Sequence, residues 1–340
     1  MLNARASSTP ARSLIRRILT GLLLIIVLLA AAGFLYENIT EARDRRFNPM
    51  PGVLVNVGGR KMHINCTGAG TPTVILDSGL GDSYVSWRKG QPEISKFSRV
   101  CSYDRAGVGY SEPVSGARTS EAIARQLHDL LQAAEVSPPY VIVGHSMGGY
   151  DVRLFASLYR NEIVGMVLVD SSHPDQENRF PPELKKMESS FLREATFLKY
   201  STPLGIPRIM GMCDDNPIVR AAECNFHSAR EGVEELKAFP ESAAQVATTG
   251  SLGDLPLAVL SQDPDKPSSE LPPEVAKPVS EQWARMQEDL AHLSSRGTRT
   301  VARNSGHYIQ LDRPDVVIEA VRTVVGQERQ AQTALGKTPQ

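Results

Sequence analysis

The sequence has no excess of charge of either sign: 37 Lys and Arg stand against 38 Asp and Glu in 340 residues, a formal net charge of −1. That balance supplies no basic field for a polyanion, which sets nucleic acid aside as a partner. No pattern recurs with a period of roughly 20 to 50 residues, which argues against a solenoid or a propeller. Cysteine is scarce, at four residues, and no two of them form C-x-x-C, so zinc and thioredoxin-type chemistry have no support. Cys66, Cys101, Cys213 and Cys224 are two disulfides of an exported protein, or else four small buried hydrophobes.

One stretch lacks charge altogether. Residues 18–36, ILTGLLLIIVLLAAAGFLY, form a 19-residue run that as a helix rises about 28 Å, the thickness of a bilayer core. Arg5, Arg12, Arg16 and Arg17 precede it without an acid, whereas Arg43, Arg45 and Arg46 follow it among Glu37, Glu41 and Asp44. This bias places residues 1–17 in the cytoplasm and the rest of the chain outside it. The alternative is a cleaved signal peptide, with Ala30, Ala31 and Ala32 near the cleavage site; the length of the apolar run favours an uncleaved anchor. Both readings export the domain.

Residues 37–52 are polar, end in Asn48-Pro-Met-Pro-Gly52 and read as a linker. Eight β-rich runs follow: 53–57, 61–66, 73–77, 100–103, 140–143, 166–169, 257–260 and 300–302. The later ones are almost wholly apolar, as strands covered on both faces of a parallel sheet are. Helical patterns lie between them: one capped by Thr119 or Ser120, then 147–159, 281–293 and 316–325. The alternation predicts an α/β fold, an eight-stranded, mainly parallel sheet flanked by helices, with its core in residues 53–171 and 255–326. Residues 172–254 are too long for one crossover and read as an inserted helical cap; residues 327–340 read as a frayed tail. Apolar residues of the insert, Met187, Phe191, Leu192, Phe197, Met210 and Met212 among them, either line an acyl site or pack the insert's own core.

The run Tyr140-Val-Ile-Val-Gly-His-Ser-Met-Gly-Gly149 carries a buried strand into G-x-S-x-G and then a helix. A serine on that turn needs a strained backbone, and Gly144 and Gly148 remove the Cβ atoms that would collide there. Ser146 is therefore the candidate nucleophile, at the sheet edge where open α/β folds bind ligands. Serine needs a base. His307, in Asn304-Ser-Gly-His-Tyr between the last strand and the last helix, falls at the same edge. His63, His128, His227 and His292 lie on strand or helix faces, and His145 shapes the turn.

GHSMGG, together with SYDRAGVGYSEP (102–113), DSGLGDSYVSW (77–87) and SGHYIQLDRPDVV (305–317), resembles the α/β-hydrolase superfamily, in its esterase-like and proline-iminopeptidase-like branch. The resemblance implies an oxyanion hole from the backbone N–H groups of Leu80 and Met147, with Ser78 replacing a commoner histidine. It implies a triad acid after the seventh strand, which falls on Asp265, with Asp263 two residues before it. The rival is Asp170 after the sixth strand, where some relatives carry the acid. It also brings Cys66 beside Cys101, since the second strand of this fold runs antiparallel beside the fourth; Cys213 and Cys224 would staple the insert. The implied activity is hydrolysis of a small-molecule ester or amide through an acyl-enzyme, without metal or cofactor, by a monomeric carboxylesterase- or lipase-like enzyme. A proline-iminopeptidase-like peptidase and a non-catalytic exported binding module are the alternatives.

Overall fold

The computed structural model describes residues 10–266, 271–334 and 336. Eight strands, β1 (Val53–Val57), β2 (Arg60–Thr67), β3 (Thr73–Asp77), β4 (Val100–Tyr103), β5 (Tyr140–His145), β6 (Ile163–Val169), β7 (Leu257–Gln262) and β8 (Gly297–Ala302), form one sheet. Their order is β1-β2-β4-β3-β5-β6-β7-β8. β2 runs antiparallel to β1 and β4, and every other pairing is parallel.

Successive side chains of a strand point to opposite faces, and here both faces are covered. Ile75, Ile142 and Leu168 meet Leu127 and Leu130 of the helix Ser120–Ala133 and Phe155 of the helix Gly148–Leu158. The intervening Val74, Val141, Val143 and Val167 meet Val317, Val321 and Val324 of the helix Pro314–Ala334. This double cover is why the central strands are apolar without alternation. The Thr119 hydroxyl caps Ser120–Ala133 by accepting from the Ala122 N–H. Cys66 and Cys101 occupy opposed register positions on β2 and β4 and are bonded; a second disulfide joins Cys213 to Cys224.

Between β6 and β7 the chain leaves the sheet in the helices Pro182–Ser201, Pro217–Glu223 and Phe226–Ala247. Three boundaries differ from the sequence reading. The N-terminal helix runs unbroken over Pro10–Phe47, through most of the expected linker, because Glu37 and Asp44 are held by Arg208 and Arg220 of the insert. The helix placed at 281–293 begins at Pro273, prolines at a helix start giving up an N–H that has no intrahelical acceptor. The last helix continues to Ala334, since the Arg329 guanidinium donates to the Thr71 and Phe97 carbonyls, both at 2.9 Å.

Candidate active site

Ser146 sits between β5 and the helix Gly148–Leu158 with φ at 52°, a left-handed conformation that costs a non-glycine residue about 1–3 kcal/mol unless its surroundings enforce it. They do. The Ser146 N–H donates to the Val169 carbonyl at 3.1 Å, and its own carbonyl accepts from the Ser172 N–H at 3.0 Å. The turn is thereby tied to the end of β6. A Cβ on Gly144 would run into the Gly148 backbone, and one on Gly148 would meet the Ser78 carbonyl oxygen. Ser146, His307 and Leu80 line one cavity of about 460 Å³, with Leu192, Phe239 and Trp283 on its apolar walls. Met147 follows Ser146 at the start of the helix and is fully buried.

The carboxylate that His307 meets is Asp170. Its Oδ2 lies 2.7 Å from His307 Nδ1, and its Oδ1 accepts from the Gln262 N–H and from Trp283 Nε1–H, both at 2.8 Å. Asp170 is wholly buried, directly after β6, with φ at 42°. The expectation for Asp265 is corrected: its side chain is 82% exposed and pairs with Arg303 at 2.8 Å. Asp263 binds the same guanidinium at 2.9 Å and accepts from the Asn304 N–H. β7 ends at Gln262 and the chain turns there, the Lys266 N–H donating to the Asp263 carbonyl. That turn carries both acids to the end of β8, where they meet Arg303 rather than His307.

Burial disfavours a charged His307, but the Asp170 hydrogen bond and charge, with a further contribution from Asp82, outweigh it and raise the imidazole above its ordinary value. His145 is the opposite case. Burial, with the charge of His307 adding, drives it well below the ordinary value. Its Nε2 stands 3.1 Å from the His307 carbonyl and its ring 4.8 Å from the His307 ring. A neutral His145 thus buttresses the His307 loop. Gly79 makes room for this: a Cβ there would stand 2.9 Å from both His145 Nδ1 and Asp82 Oδ2.

Behind Leu80 lies a buried ionic network. Arg105 donates to Asp77 Oδ1 at 3.1 Å, to the Ser78 carbonyl at 2.7 Å, to the Gly79 carbonyl and to Glu235 at 2.9 and 3.0 Å. Glu235, on the helix Phe226–Ala247, also accepts from the Gly81 N–H at 2.9 Å and from Arg118 at 3.0 Å. Burial favours the protonated form of Glu235, but Arg105 and Arg118 prevail and lower its pKa. Burial raises Asp77 to about 6 against the opposing pull of Arg105. The loop 78–81 is therefore held from the sheet side and from the insert at once. In the sequence Arg105 stands in the run 102–113 without a role, Trp283 is one residue of the helical pattern 281–293, and Glu235 carries no local signal. Glu235 stands on a buried helical face that also carries Ser228, Glu231 and Ser242, so its sequence pattern reads as a solvated face until its partners are known.

The Alpha/beta hydrolase family model matches residues 74–320. The chain is 28% identical to the uncharacterized protein YqjL of Bacillus subtilis over 260 residues, 76% of this chain and 85% of that one. It is 28% identical to a 2-hydroxy-6-oxononadienedioate/2-hydroxy-6-oxononatrienedioate hydrolase of Cupriavidus pinatubonensis over 232 residues, 64% of this chain and 78% of that one. Among solved structures, a putative lipase (lip1) of Acinetobacter baumannii AYE superposes with a TM-score of 0.60 at 18% identity, covering 87% of this chain and 97% of that one.

Proposed function

Because the chain belongs to the alpha/beta hydrolase family and is a hydrolytic enzyme, we propose that it cleaves carboxylic esters through an acyl-enzyme formed on Ser146. The observation that carries this reading is the 2.7 Å contact between His307 Nδ1 and a buried carboxylate of Asp170, with His307 and Ser146 on the wall of one cavity. Asp170 fixes the imidazole with Nδ1 protonated, which leaves Nε2 as the free base. His307 takes the hydroxyl proton as Ser146 Oγ attacks the ester carbonyl carbon. The carbonyl electron pair moves onto oxygen, where the N–H groups of Met147 and Leu80 receive it. Each such fixed donor is worth about 3 to 4 kcal/mol in the transition state. The tetrahedral centre collapses, the alkoxide leaves with the proton from His307, and water repeats the sequence to free the acid.

The apolar cavity walls suit an acyl chain better than a charged substrate, which favours an ester over a peptide. The helix over residues 18–36 anchors the enzyme with its catalytic domain outside the cytoplasm. Labelling of the full chain by a fluorophosphonate tests the reading: the wild type is labelled and Ser146→Ala is not. Equal labelling of both would end it.

A further inference from the structure

We propose that the insert's exposed apolar surface beside the N-terminal helix dips into the interface of the bilayer which that helix crosses. The inference rests on the anchoring reading above and goes beyond it, because it gives the folded domain a lipid contact of its own.

The N-terminal helix does not lead to the domain through a loose tether; it packs on the insert at three levels. Leu204 lies so close to Gly33 that any Cβ on Gly33 would run into the Leu204 carbonyl oxygen, and Gly205 packs on the Tyr36 ring in the same way. One turn on, Arg208 binds Glu37 at 3.0 Å, and about three turns on it binds Asp44 at 2.5 Å, where Arg220 also reaches at 3.3 Å. Glu37 and Asp44 are 3% and 5% exposed, so these pairs are shielded by the packing they hold.

These contacts fix the depth of the insert. Gly33 lies three residues before the end of the uncharged stretch 18–36, about 4.5 Å along the helix. Leu204 and Gly205 therefore stand at the boundary between hydrocarbon and headgroups, where Tyr36 occupies the usual position of an interfacial aromatic residue. The segments that flank them expose large apolar side chains: Tyr200 is 69% exposed, Ile209 67%, Met210 61% and Met212 42%. The sequence offered Met210 and Met212 as acyl-site lining or as core; both are exposed and neither lines the cavity of Ser146 and His307. Ile209 and Met210 adjoin Arg208, which binds at the level of Glu37 and Asp44, so they lie on the headgroup side of that boundary; a water-facing surface gains nothing from this composition, whereas a surface at that depth buries it in the bilayer interface.

Tryptophan placed at chosen depths tests this with the full chain, one molecule per nanodisc, in lipids with plain or brominated acyl chains. Bromine quenches only tryptophan within reach of the chains, and Trp87 and Trp283 are buried in the domain. The variants are Leu24→Trp in the span, Ile209→Trp and Met210→Trp on the insert, and His292→Trp as a control. His292 precedes β8, at the sheet edge opposite the active site. The expected result is strong quenching at 24, 209 and 210 and none at 292, in variants that still label with fluorophosphonate. Quenching at 24 with 209 and 210 as bright as 292 would overturn the inference and leave the anchor standing. No quenching at 24 would remove the anchor and the inference together.

Discussion

Replacing Asp170 by Asn should abolish catalysis while leaving the fold intact. Both donors from the scaffold, the Gln262 N–H and Trp283 Nε1–H, converge on Oδ1, and Oδ2 alone faces His307. An asparagine keeps two good hydrogen bonds only by placing its carbonyl oxygen at the Oδ1 position. Its NH2 then points at His307 Nδ1 and donates to it. The imidazole must accept at Nδ1 and carry its proton on Nε2, so it presents a proton to Ser146 where a base is needed. A wrong tautomer of this kind lowers kcat by about 10⁴, about 5.4 kcal/mol of transition-state stabilisation. The two retained bonds limit the loss of stability to about 1–3 kcal/mol. The assay is kcat on short p-nitrophenyl esters beside the melting temperature of the same samples, with Asp265→Asn in parallel. Asp265 is exposed and pairs only at the surface, a contact worth about 0–1 kcal/mol, so its variant should match wild type in both. Retention of more than about a hundredth of wild-type kcat by Asp170→Asn would refute the tautomer reasoning; collapse of Asp265→Asn at unchanged stability would return the acid to the seventh strand.

Since the base must be neutral and its pKa is raised, the acid limb of kcat/KM should lie above 6.5. Residual activity of Asp170→Asn should fall off at lower pH than wild type, because burial, which lowers the pKa, then acts without the carboxylate; a limb unmoved by the substitution would count against Asp170. Glu223 accepts from the Ser83 N–H and hydroxyl, and burial with the nearby Asp82 raises it to about 8. A carboxyl whose folded pKa exceeds its unfolded value favours the fold at low pH and loses that contribution as pH rises toward 8. Glu223→Gln keeps the accepting oxygen and should therefore melt higher relative to wild type at pH 9 than at pH 5, and equal differences at both would contradict the assignment. Glu235→Gln places an amide NH2 against either a guanidinium or the Gly81 N–H. Breaking one partner of such a buried set costs about 3–5 kcal/mol; thermal unfolding should show that loss, and a near-neutral change would mean the network does not hold the loop 78–81.

How much of this was legible in advance follows from the range over which each signal acts. β-rich runs marked the eight strands, and the central ones are apolar because a residue's burial on a two-sided sheet depends mainly on its own strand. The nucleophile turn was legible for the same reason: Gly144, Ser146 and Gly148 meet their steric demands within a few residues. His307 needed only chain order and a loop at the right sheet edge. The partner of His307 lay beyond reach. Asp170 and Asp265 both follow apolar strands and differ only in where the chain turns next, and that turn is set by Asp263, Asn304 and Arg303 across 40 residues. Likewise, Glu37 and Asp44 look like the polar ends of a linker until Arg208 and Arg220, more than 160 residues away, neutralise them. The sequence by itself determined the strands, the turn that carries Ser146 and the loop that carries His307. Only the tertiary structure decided which carboxylate faces the histidine and how the N-terminal helix packs on the insert, because a charged side chain is assigned by its partner and the chain alone does not bring the partners together.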